Sequence, residues 1–134
     1  MRCAFTRLAR VSELQANPRN PNTHPAPQIE LYAKILHHQG IRRPAVVSKE
    51  SGLIVTGHGL VETLRFLAVR DCPIDEQSFR GSKPGAPGPD ELAHLLADNS
   101  LPQLADLDAG QVAALQAELT LAGLDLELSG VPAL

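Results

Sequence analysis

Leu53-Ile54-Val55-Thr56-Gly57-His58-Gly59-Leu60-Val61-Glu62-Thr63-Leu64 carries the chain from one kind of structure to another. The apolar, partly β-branched run up to Thr56 predicts a strand, and the two glycines predict a turn. Leu60, Val61, Leu64, Leu67 and Ala68 then recur at helical spacing. A strand that feeds directly into a helix leaves the first N–H groups of that helix unpaired and facing outward, a ready place for phosphate or another anion. Glycine lets such a ligand approach the backbone closely. The stretch is not a Walker A loop, having no Gly-Lys-Ser/Thr, and Glu62 stands where the dinucleotide fingerprint has its third glycine. Taken alone, the two glycines fit a ligand-free tight turn as well.

Upstream, Pro44-Ala45-Val46-Val47-Ser48 predicts a first strand and Lys49-Glu50-Ser51-Gly52 a turn, so that residues 44–56 read as a hairpin. From Pro27 to Gln39, Ile29, Tyr32, Ala33 and Leu36 fall on one helical face, Gly40 is the stop signal, and His37 and His38 sit in the last turn. Before that helix, Asn17-Pro18-Arg19-Asn20-Pro21-Asn22 predicts a fixed loop, itself preceded by a strand over Val11-Ser12-Glu13-Leu14. Downstream, Cys72-Pro73-Ile74 reads as a returning strand. Gly81 to Pro89, with three glycines and three prolines, reads as a mobile connector. A helix is predicted from Pro89-Asp90-Glu91 to Asp98-Asn99. Another is predicted from Asp108 to Ala122, with Asp108 as cap and Val112, Leu115 and Leu119 in one stripe.

At 134 residues, with 43% hydrophobic and 20% charged side chains, the chain is one domain's worth of ordinary globular sequence; a multidomain machine is excluded, and a compact fold rather than a disordered or fibrous protein is expected. Aromatics make up only 3%, too few for a base-stacking platform for single-stranded nucleic acid. No apolar run approaches the roughly 20 residues that span a bilayer, and the N-terminal stretch has no signal-peptide pattern, so a cytoplasmic protein without membrane contact is expected. Cys3 and Cys72 fall in no ligand or disulfide pattern and are expected to be reduced. The formal charge of −3 conceals a division: residues 1–70 hold ten Lys/Arg against four Asp/Glu, and residues 71–134 hold two against eleven. A basic half favours a phosphate-bearing partner; neutralisation of one half by the other is the plainer alternative.

Arg19, Arg42 and Arg43 each lie near a proline that restricts the backbone, which suits guanidinium groups set to meet phosphate. Of the five histidines, His94 with Asp98 is the one ligand-like pair, read as a surface hydrogen bond rather than a metal site, and no metal is expected. Asp71 beside Cys72 should raise the thiol pKa and keep it unreactive.

In order, Asn17-Pro18-Arg19-Asn20-Pro21, the helix closing at Gly40, Ile41-Arg42-Arg43-Pro44-Ala45-Val46-Val47 and Ile54-Val55-Thr56-Gly57-His58-Gly59 resemble the N-terminal domain of the ParB/sulfiredoxin superfamily. The resemblance is nearest to phage and prophage ParB-like nuclease domains, some of them fused ahead of DNA methyltransferases. Ala97-Asp98-Asn99-Ser100-Leu101 resembles their A-D-N-x-L segment, and residues 124–130 the run that precedes the methylase. The resemblance implies a small α+β fold, a short mixed sheet with helices packed on it, with a phosphate-binding core over residues 1–80, a loop over 81–89 and a helical segment over 90–134. It implies a G-x-x-R turn that holds CTP in partition ParB, ATP in sulfiredoxin or a DNA backbone in the nucleases, with magnesium where a nucleotide binds. Carried onto this chain, Gly57, His58 and Gly59 supply the anion turn, Arg19, Arg42 and Arg43 the charge, and Asn20 and Asn99 neutral hydrogen bonds. His58 and Glu62 are the catalytic candidates for a nuclease or NTPase, with Asp98 a further carboxylate for metal-assisted cleavage. A DNA or nucleotide ligand, a homodimer and a methyltransferase partner are the implied associations. The chain departs from the pattern at Leu60, where the arginine is expected. Sulfiredoxin's cysteine falls at His58, which excludes sulfinic-acid repair by that mechanism. A non-catalytic module that binds protein through its acidic, leucine-rich second half is the remaining alternative.

Overall fold

The structure is a computed structural model, and it describes residues 2–104 and 106–130. The last four residues of the 90–134 segment lie outside the described residues. The chain is α+β. Strands β1 (Arg7–Arg10), β2 (Ala45–Ser48), β3 (Ile54–Thr56) and β4 (Asp71–Gln77) form one mixed sheet in the order β1-β4-β2-β3. Helices α1 (Ala26–Gln39), α2 (His58–Phe66), α3 (Pro89–Leu104) and α4 (Ala109–Leu121) complete it. β2 and β3 are the expected antiparallel hairpin, with a register shift between Val46 and Val47. β4 extends the short strand predicted around Cys72 and lies inside the sheet, parallel to β2 and antiparallel to β1. Parallel neighbours need a crossover connection, and here the chain passes from β2 to β4 through β3 and α2, so the strand-to-helix turn lies on that crossover.

The core sits between the sheet and α2. Ile54, Val55, Val61, Leu64 and Ile74 are each at most 2% exposed, and each such side chain contributes roughly 1.5–3 kcal/mol on burial. α1 packs on α2 and α3 on β3, so both helices border the end of β3 where α2 begins.

Three local expectations are corrected. The strand predicted over residues 11–14 lies one step earlier, at Arg7–Arg10, and Val11–Glu13 forms a 3₁₀ turn. Val11 and Leu14 are both buried while Glu13 is exposed, a spacing of three that suits 3.0 residues per turn and not strand alternation. α3 continues past Asn99 to Leu104, through Pro102. The 81–89 loop is tied down rather than free: Gly85 N–H donates to the Ser51 carbonyl at 3.0 Å and Gly88 N–H to Ser82 Oγ at 2.9 Å.

Candidate functional site

The site starts at Gly57. Its φ of 94° is left-handed, and a Cβ there would lie 3.0 Å from both Cα and Cβ of the fully buried Ala45. Glycine is therefore needed both for the turn and for the close approach to β2. A Cβ on Gly59 would lie 3.1 Å from the His24 ring. The first helical bond of α2 runs from Val61 N–H to the Gly57 carbonyl at 3.0 Å, and no side chain caps this helix among the described residues. The N–H groups of His58, Gly59 and Leu60 precede that ladder, at the positive end of the helix dipole.

These groups open onto a cleft of about 280 Å³. Gly57, His58, Gly59, Arg43 and Asn99, all predicted from the sequence, line it together. Asp98, a candidate carboxylate from the sequence, lines it as well, whereas the polar lining residues His24, Gln28, Tyr32, Thr56 and Thr63 escaped the sequence reading. Tyr32 had a visible signal, because it lies in the helical stripe of α1, but spacing does not distinguish a core position from a cleft wall. Burial raises its phenol pKa, with Arg43 nearby pulling the other way. His24 is held through Nδ1 at 3.1 Å from Gln28 Oε1.

His58 is buried, at 8% exposure, and its Nε2 accepts the Asn17 N–H at 3.1 Å. A neutral ring that accepts at Nε2 carries its proton on Nδ1. Burial, reinforced by the neighbouring His24 and opposed by Asp98, pushes the His58 pKa down to about 4. At neutral pH the side chain is uncharged and fastens the Asn17 loop to the start of α2. The loop is closed on itself by Asn17 Oδ1, which accepts the Arg19 N–H at 2.9 Å.

Asn20 joins the site at second hand. Asn99 Nδ2 donates to its Oδ1 at 3.4 Å, and Asn22 Nδ2 donates to Asn99 Oδ1, so three amides link the loop to α3. Arg19, Arg42 and Glu62 do not line the cleft at the start of α2. Arg19 borders a separate hollow with Pro18, Leu53 and Leu92. Arg42 Nε donates to the Gln39 carbonyl at 3.1 Å and so completes the end of α1. Glu62 faces Asn20, Asn22 and Arg65 in a smaller hollow of about 210 Å³ on the other side of His58. Leu60, at the position of the expected arginine, is buried and joins the hydrophobic core.

The remaining candidates separate. His94 packs its ring against Phe79 at 5.6 Å, while Asp98 turns to the cleft. Cys72 is fully buried, and burial, rather than Asp71, pushes its thiol up to about 11. The charge division is partly neutralised within the fold: Arg7 pairs with Glu76, and Lys34 with Asp125 and Glu127, each joining the basic half to the acidic one. No helix among the described residues is long and apolar enough to cross a membrane.

No protein-family model matches the chain, and no curated protein matches it. Among solved structures it is similar to the C-terminally truncated chromosome-partitioning protein ParB from Caulobacter crescentus, complexed with CTP-gamma-S. The TM-score is 0.65 at 22% identity, over 84% of this chain and 61% of that one. It also overlaps a Pnob8-like ParB-N domain, with a TM-score of 0.46 at 14% identity, over 57% of this chain and 31% of the other. The chain thus spans about three fifths of the Caulobacter protein's length in that structure and has a ParB-like α+β fold.

Proposed function

We propose that the cleft at the start of α2 binds the phosphate chain of a nucleoside triphosphate, CTP being the first candidate. The observation that carries this reading is the pair of glycines that no side chain can replace without contact, set where unladdered N–H groups meet Arg43 and Asn99 in one cleft. The Caulobacter ParB complex with CTP-gamma-S, which shares the fold, supports the choice of cytidine nucleotide. The volume of about 280 Å³ is at the small end of ligand sites, which commonly run from ~300 to 1,000 Å³. It suits a phosphate chain held inside with the rest of the nucleotide reaching the rim.

In this reading the N–H groups of residues 58–60 and the Arg43 guanidinium hold phosphate oxygens, and Asn99 adds a neutral amide. Asp98 is the lining carboxylate that would face a magnesium ion arriving with the triphosphate. His58 acts as a positioning residue: neutral and bonded to Asn17, it sets the loop against α2. A DNA backbone is the alternative source of the same phosphate chemistry. The resemblance to phage-type domains extends the proposal to a DNA methyltransferase partner.

Thermal unfolding with CTP, ATP, GTP, tripolyphosphate and a short DNA duplex, each with and without magnesium, tests the reading. A ligand that binds only the folded chain at 100 times its Kd adds about 2.7 kcal/mol of stability. CTP stabilisation that Arg43→Ala removes supports the assignment, and a flat response to every ligand overturns it. Nicking of supercoiled plasmid that Glu62→Gln abolishes would instead favour the endonuclease reading.

A further inference from the structure

Helix α4 combines an apolar sequence with an uncovered surface. Eight of its thirteen residues are Ala, Val or Leu, yet none of them is buried, and Leu115 and Leu121 are 58% and 90% exposed. A thirteen-residue helix is marginal by itself in water, and helices of this length gain most of their stability by packing an apolar face. A helix apolar around most of its circumference is normally enclosed. Within the chain, α4 packs chiefly on the 3₁₀ turn Leu126–Ser129, which is held to α1 by the exposed ion pairs of Lys34. Between α4 and that turn runs a groove of about 250 Å³, walled by Val112, Leu115 and Leu119 with Glu118 beside them.

Charge identifies what fits this groove. From residue 84 to the C-terminus there are eight Asp/Glu and no Lys or Arg. Asp106 and Asp108 stand at the start of α4 and Glu118 within it. Nucleic acid and anionic lipid are repelled by such a face, and a second copy would bring acid against acid. A groove running along a helix accepts another helix through leucine-type anchors at i, i+3, i+4 and i+7. We propose that α4 is the docking site for a short amphipathic helix of another protein, its aliphatic stripe in the groove and its lysines or arginines facing Asp106, Asp108 and Glu118.

The test uses the whole chain and a labelled fourteen-residue helical peptide with leucines at those spacings and lysines elsewhere. Two control peptides replace every lysine by glutamate or every leucine by alanine. Binding is followed by fluorescence anisotropy and by amide hydrogen exchange. The Leu/Lys peptide is expected to bind, to weaken as salt is raised and to protect amides 109–121. Each control peptide is expected to bind at least about tenfold more weakly. Leu115→Lys should cost a similar factor, and because that side chain is exposed the variant should keep the wild-type circular dichroism and melting temperature. Glu118→Lys should weaken the lysine peptide and strengthen the glutamate one. Absence of binding, or binding indifferent to Leu115→Lys, overturns the proposal. So does a wild-type dimer in sedimentation velocity that Leu115→Lys dissociates, since that assigns the face to a second copy.

Discussion

Replacing Gly57 by alanine puts the geometry of the turn to a quantitative test. The left-handed conformation at φ 94° costs an L-residue roughly 1–2 kcal/mol. The new Cβ would also sit 3.0 Å from the Cα and Cβ of Ala45, a residue with no exposure, so backbone rather than a flexible side chain would have to move. Overpacking of that kind costs about 1–3 kcal/mol, which brings the expected loss to roughly 2–5 kcal/mol. Domains of this size have only ~5–15 kcal/mol in total, so Gly57→Ala should lower the urea midpoint substantially with an unchanged m-value. Gly52→Ala is the internal control. Gly52 has a φ of 76° but nothing within 4 Å of its Cβ position, so it carries the conformational cost without the contact. If the two variants lose the same stability, Ala45 is not a wall behind the turn and the account of why glycine is needed there is wrong. The same variant should lose nucleotide binding more steeply than stability, because any shift of residue 57 re-aims the N–H groups that follow it.

The buried His58 predicts a pH dependence of known sign. Its pKa near 4 in the folded chain, against about 6.5 unfolded, means that the unfolded chain takes up the proton first. Its contribution is complete above pH 6.5 and is lost as pH falls toward 4, by up to about 3 kcal/mol. Urea midpoints measured at pH 7 and pH 4.5 should differ more for wild type than for His58→Asn. Arg43→Ala should weaken CTP about tenfold or more by calorimetry with little change in melting, whereas Arg42→Ala and Arg19→Ala should leave affinity within about twofold. Glu91 is fully buried, accepts from Ser51 Oγ at 2.8 Å and has no hydrogen-bond partner at Oε1 among the described residues. Glu91→Ala strands the Ser51 hydroxyl and opens a cavity, for a loss of roughly 2–4 kcal/mol. Glu91→Gln keeps an acceptor for Ser51 and should lose at least about 1 kcal/mol less in the same urea titration.

Read from residues, the parts of the molecule that were legible are those set by near neighbours in the chain. The stripe Ile29, Tyr32, Ala33, Leu36 ending at Gly40 gives α1, and Asp108 does cap α4 through the Gln111 N–H. The β-branched runs around Lys49–Gly52 give the hairpin, and Thr56-Gly57-His58 gives the strand-to-helix turn. In each case the preferred backbone angles and the side-chain period act within a few residues, so composition and spacing suffice.

What tertiary structure decided is which way equivalent side chains face and what surrounds them. Arg42 and Arg43 are identical in type and adjacent, yet one closes the end of α1 and the other lines the cleft, on a segment that bends at Arg43 between α1 and β2. Val11 and Leu14 would read as strand until Arg70 supplies the carbonyl that accepts the Val11 N–H and both side chains turn into the core. The charge state of His58 likewise belongs to the assembled fold, since it depends on burial and on an amide 41 residues away. Backbone conformation at the turn was written locally. The electrostatics of the cleft arise from long-range contacts, which bring residues from four separate stretches of chain to the same few ångströms and strip them of water.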